Sequence, residues 1–93
     1  MRHYEMLVLM SAELEEPKEE IDKIEEIVRN LGGEVAKIDV WGKKRLAYPI
    51  QKKSEGIYVL FNFALEPSLT FELKRVLGLR ANIYRQMIIL LDE

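Results

Sequence analysis

Five basic side chains crowd into "WGKKRLAYPIQKK", between Trp41 and Lys53: Lys43, Lys44, Arg45, Lys52 and Lys53. No acid interrupts them, and Trp41 and Tyr48 stand among them, with Pro49 favouring an extended Tyr48. Ammonium and guanidinium groups at this density neutralise phosphates, and nearby aromatics can stack on unpaired bases. Arg2, Arg80 and Arg85 would join the group if the ends of their segments lie on one edge of the fold. The chemistry this implies is electrostatic recognition of a nucleic-acid backbone. A solvated loop is the plainer reading of Lys43, Lys44 and Arg45, and a core edge that of Trp41.

Residues for covalent or metal chemistry are scarce. His3 is the single histidine, cysteine is absent, and Glu5 is the one carboxylate two residues from His3. Two ligands do not make a metal site. No Gly-rich phosphate cradle occurs. Ser11, Ser54 and Ser68 are better placed as cap or turn residues than as nucleophiles. The sequence therefore predicts neither an enzyme nor a cofactor.

The elements that must carry these groups follow from size, charge and period. Ninety-three residues, 48% hydrophobic and 32% charged, make one domain with one two-layer core, spanning 1–93. No apolar run approaches the ~18 residues of a membrane helix and no signal-peptide pattern opens the chain, so a cytoplasmic protein is expected. The net charge of −2 hides a division. Residues 11–34 hold nine acids against three bases, and residues 35–93 hold ten bases against six acids.

"HYEMLVLM" reads as a buried strand. Ile21, Ile24, Ile27, Val28 and Leu31 then share one helix face, with Pro17 in the first turn and Gly32-Gly33 as the stop. "EVAKIDVWG" is a second strand, followed by the basic segment. "GIYVLFNFAL" is a third, joined to the second by a hairpin through residues 51–56. Ser68 is expected to cap the helix "LTFELKRVL", Gly78 to terminate it, and "IYRQMIILL" to form the last strand. The order βαββαβ predicts an α+β, ferredoxin-like domain, a four-stranded antiparallel sheet with both helices on one face.

Two helices cover one face of such a sheet. If Tyr4, Met6, Val8, Met10, Val59, Phe61, Phe63 and Leu65 meet the helices, the open face still presents Leu7, Leu9, Tyr58 and Leu60. The last strand adds Met87, Ile89 and Leu91, or else Ile88 and Leu90. Contiguous apolar residues on adjacent strands predict a docking face for another protein. A self-associating module that binds no RNA is the competing reading. A small acyl-phosphate hydrolase, for which Arg2, Arg80 and Asn82 are the available residues, lacks the loop it would need.

The chain also resembles a known family. "WGKKRLAYPIQK" is similar to the central motif of bacterial small-subunit ribosomal protein six, "MRHYE" to its opening, "EGIYV" to its third strand and "LRANIYR" to its approach to strand four. The likeness runs from about Met1 to Leu90. It implies an rRNA-binding structural protein that binds the central domain of 16S rRNA together with small-subunit ribosomal protein eighteen. Carried over by position, Lys43, Lys44 and Arg45 fall in the family's basic stretch, and Arg2, Arg80 and Arg85 at its arginine positions. The open face then gains protein eighteen as its expected occupant. Members of the family often continue into a basic tail, whereas this chain stops at "LLDE", which favours homo-oligomers of the isolated protein.

Overall fold

A computed structural model describes residues 1–50 and 53–91. Along the chain run β1 (Arg2–Ser11), α1 (Pro17–Asn30), β2 (Glu34–Ile50), β3 (Lys53–Leu65), α2 (Thr70–Gly78) and β4 (Ile83–Leu90). The strands form one antiparallel sheet in the order β2-β3-β1-β4, the ferredoxin-like arrangement the element order predicts.

Period-two alternation decides which side of the sheet is covered. Met6 lies opposite Phe61, Val8 opposite Val59 and Tyr4 opposite Phe63, and all six are buried. The Tyr4 and Phe63 rings stack at 5.5 Å. Against them pack Ile21, Ile24 and Val28 of α1 with Leu73 and Leu77 of α2. Each such side chain removed from water contributes roughly 1.5–3 kcal/mol, so this single layer is the main source of stability.

Helix α1 starts at Pro17, whose missing N–H costs nothing at this position, and Glu19 and Glu20 complement its positive end. Its stop is a Schellman turn. The Gly33 N–H donates to Val28 O at 3.0 Å and the Gly32 N–H to Arg29 O at 2.9 Å, with Gly32 at φ +86°. Gly33 is needed for a different reason. A Cβ there would stand 2.8 Å from Ala64 O and 2.9 Å from Val28 Cγ1.

Helix α2 departs from expectation at both ends. Residues Pro67–Leu69 form a 3₁₀ turn, and Ser68 makes no cap bond; the Thr70 hydroxyl instead donates to Pro67 O at 2.9 Å. Gly78 is the last helical residue rather than the one beyond it, and its φ is not positive. With Pro67 starting a tight turn one step early, the helix begins and ends later than the cap residues suggest.

Strand β2 is longer than expected and absorbs the basic segment. Bulges break its register with β3 after Val35 and after Val40, and Gly42 takes φ +91° at the second. Because β1 pairs with β3 only as far as Gly56, the distal parts of β2 and β3 leave the sheet as a two-stranded ribbon.

Candidate nucleic-acid and protein interface

Register places the open-face residues in rows. Arg85, Leu9, Tyr58 and Gly42 lie side by side from β4 to β2; the next row holds Met87, Leu7, Leu60 and Asp39. The third is Ile89, Glu5, Asn62 and Lys37. Parity thus resolves the last strand: Met87 and Ile89 are on the open face, exposed to 55% and 49%, while Ile88 packs on the core. The face is apolar toward the ribbon and polar away from it.

The ribbon folds back over the apolar end. Leu46 is buried, and Leu46, Ala47, Tyr48 and Ile50 face Leu7, Leu9, Tyr58 and Met87 across a groove of about 310 Å³. An Arg85 guanidinium N–H donates to the Tyr48 hydroxyl at 3.2 Å, a bond across the groove between β4 and the ribbon. Gly56 makes room for this closure, since a Cβ there would overlap Leu9 Cδ1. Leu9, expected on the docking face, is consequently only 4% exposed. Tyr48 is 62% exposed with its hydroxyl engaged by Arg85.

The cations fall into three groups. Lys43, Lys44 and Arg45 are exposed where β2 passes from the sheet edge into the ribbon, Lys43 and Lys44 opposite Ile57 and Gly56 and Arg45 just beyond, and they make no ion pair among the described residues. Arg85 stands at the foot of the ribbon, exposed on the open face. Lys53 stands opposite Ile50 at the far end of the ribbon, and its ammonium pairs with Glu13 in the β1–α1 connection. That hydrogen bond raises its pKa above the usual lysine value. Lys52 lies outside the described residues.

Arg2 and Arg80 do not share this region. Arg2 pairs with Leu65 whereas Lys44 pairs with Gly56, so about 30 Å of strand separates them. Arg80 sits in the α2–β4 connection and turns to the helical layer, where Nε meets Glu20 Oε2 at 2.5 Å and Nη2 meets Oε1 at 3.1 Å. Glu20 is 5% exposed, so the pair is a structural clamp between α1 and the start of β4. The hydrogen bond to Glu20 raises the pKa of Arg80 beyond its already high value. Thus the three arginines do not converge on one edge. Sixty positions separate Glu20 from Arg80, and no local pattern in the sequence announces their pairing.

Among the described residues no group of histidine and carboxylate side chains could hold a metal ion, and no helix is long and apolar enough to cross a membrane. The ribbon, Arg85 and the groove are what this surface offers: unpaired cations beside an apolar recess.

Comparison with known proteins agrees with this fold. The family model for ribosomal protein S6 matches residues 3–90. Small ribosomal subunit protein bS6 of Micrococcus luteus is 50% identical, with all of this chain and 94% of that protein covered. The bS6 protein of Caldanaerobacter subterraneus is 44% identical over the full length of both. The crystal structure of 30S ribosomal protein S6 from Thermotoga maritima superposes with a TM-score of 0.88 over 97% of this chain and 87% of that one. At 22% identity it attests the fold. These relatives are structural ribosomal proteins and not enzymes. A match over nearly the whole length places the chain in the ribosomal protein S6 family of the bacterial small subunit.

Proposed function

We propose that this chain binds the central domain of 16S rRNA jointly with small-subunit ribosomal protein eighteen, within the ribosome in the cytoplasm. The observation that carries the reading is the trio Lys43, Lys44 and Arg45, exposed on edge strand β2 at the root of the ribbon without carboxylate partners among the described residues. Free ammonium and guanidinium groups along an exposed sheet edge are open to phosphates from the side. Arg85 extends the positive strip onto the sheet, whereas Arg80 and Arg2 contribute through structure or from the far end. Protein eighteen is assigned to the open face, over Leu7, Tyr58, Leu60, Met87 and Ile89, with Leu9 supporting it from beneath.

Lys43, Lys44, Arg45 and Arg85 are few contacts for tight binding to RNA by this chain alone, so the partner supplies further positive charge. Mixing the chain with protein eighteen and a central-domain rRNA fragment should give a ternary complex tighter than either binary one. With about three to five phosphates contacted, affinity should fall roughly a hundredfold between 50 and 200 mM salt. A complex that forms equally well without this chain, or without protein eighteen, would refute the joint assignment.

A further inference from the structure

The sheet has two free edges, and they are built differently. β2 carries Lys37, Lys43, Lys44, Arg45 and Pro49, with its register broken by bulges after Val35 and Val40. Charge, proline and bulges are what block the addition of another strand. At the opposite edge, β4 has none of this beyond its first residues. From Arg85 onward its pairing with β1 is regular, Arg85 is its only charge, and it contains no proline. Met87, Ile89 and Leu90 are large, apolar and exposed along it.

Hydrogen-bond parity fixes which backbone groups this edge offers. The Leu91 N–H donates to His3 O at 2.9 Å. In an antiparallel ladder alternate residues bond to the same neighbour, so Arg85, Met87 and Ile89 also turn their polar groups to β1. Gln86, Ile88 and Leu90 turn theirs outward. Among the described residues no strand lies beside them.

We propose that this edge receives the β4 strand of a second copy of the chain, antiparallel about a two-fold axis at Ile88. The argument for a second copy is self-complementarity. In that register Gln86 pairs with Leu90 of the other copy and Ile88 with Ile88, giving about six backbone hydrogen bonds. On the open face Met87 of each copy lies against Ile89 of the other, so the strand's two most exposed apolar side chains cover one another. Arg85 falls opposite Leu91, and the two guanidinium groups stand roughly 20 Å apart, so no like charges face each other. The product is a continuous eight-stranded sheet with an isologous interface. A contact made by one strand from each copy is small, so the dimer is weak and depends on concentration.

Sedimentation of the full chain from about 1 µM to about 1 mM covers the range in which such a contact forms. The mass should rise from monomer toward dimer. Amide exchange followed over the same range should show Gln86, Ile88 and Leu90 gaining protection, while Met87 and Ile89 are protected throughout. Met87→Lys with Ile89→Lys places like charges across the axis and should abolish the dimer, as should Met87→Glu with Ile89→Glu. An equimolar mixture of these two double variants should restore it. A monomer at every concentration, a dimer untouched by the charge variants, or two double variants that do not pair on mixing would each overturn the proposal. Protection appearing at Gln86, Ile88 and Leu90 only when protein eighteen is added would overturn it too, by assigning the edge to a foreign strand.

Discussion

At the scale of single residues, the fold hangs on close approaches that one added methyl group disturbs. Gly56 and Leu9 share a space that admits only one of them as a side chain, because a Cβ on Gly56 would overlap Leu9 Cδ1 and lie 3.3 Å from Met10 O. Gly56→Ala should therefore cost about 1–2 kcal/mol, and Leu9→Ala made beforehand should remove most of that cost. Urea unfolding of the four proteins of this cycle measures the coupling directly. The Glu20–Arg80 clamp is the other critical contact. Arg80→Met strands a carboxylate that is 5% exposed and should cost about 2–3 kcal/mol, less than a fully buried pair because Arg80 itself is 34% exposed. The double variant Glu20→Met with Arg80→Met should recover part of the loss, since it leaves no unpaired charge. Neither contact is announced in the sequence. Leu9 reads as an open-face residue by parity, and only the return of a distant ribbon covers it. Arg80 reads as one basic residue among several.

At the scale of elements, what was legible followed from local period. The alternation in β1 and β3 assigned the helix-facing residues Tyr4, Met6, Val8, Met10, Val59, Phe61, Phe63 and Leu65, and the three- and four-residue spacing in α1 assigned Ile21, Ile24 and Val28 to its buried face. Longer-range events set the rest. β2 runs on through the basic segment because β3 continues beyond the end of β1 and supplies a partner, which no pattern within residues 41–50 encodes. The ribbon is held on its β2 strand by Tyr48 and Arg85 and near its tip by Lys53 and Glu13. Removing the Tyr48–Arg85 bond in Tyr48→Phe should leave global stability within about 0.5 kcal/mol, the bond being exposed, yet speed amide exchange through residues 44–49. The Lys53–Glu13 pair responds to pH in a known direction. Because the hydrogen bond to Glu13 raises the Lys53 pKa above 10.5, its contribution is fully present below that value and is lost as pH rises through the raised one. Near neutrality Lys53 is thus charged but already satisfied. Glu13→Gln should release it toward phosphate and steepen the salt dependence of RNA binding by up to about one unit of log K per log salt.

At the scale of the whole molecule, the division of charge becomes a division of space. The acids of residues 11–34 lie mostly on α1, on the helical face of the sheet, while the unpaired cations Lys43, Lys44 and Arg45 lie on edge strand β2 at the root of the ribbon. The molecule measures 37 × 24 × 21 Å, several times the ~8 Å over which physiological salt screens a charge. Location should consequently outweigh net charge in determining how RNA is held. Two double variants separate the effects, since Lys43→Glu with Lys44→Glu and Lys18→Glu with Lys23→Glu lower the net charge equally. The ribbon pair should weaken rRNA binding roughly tenfold or more and flatten the salt dependence by about two units, whereas the α1 pair should stay within about twofold of the parent. Filter binding across a salt series reads both quantities. Equal losses for the two variants would mean that the anionic polymer senses only the overall charge of the chain, and the ribbon would lose its claim to the contact.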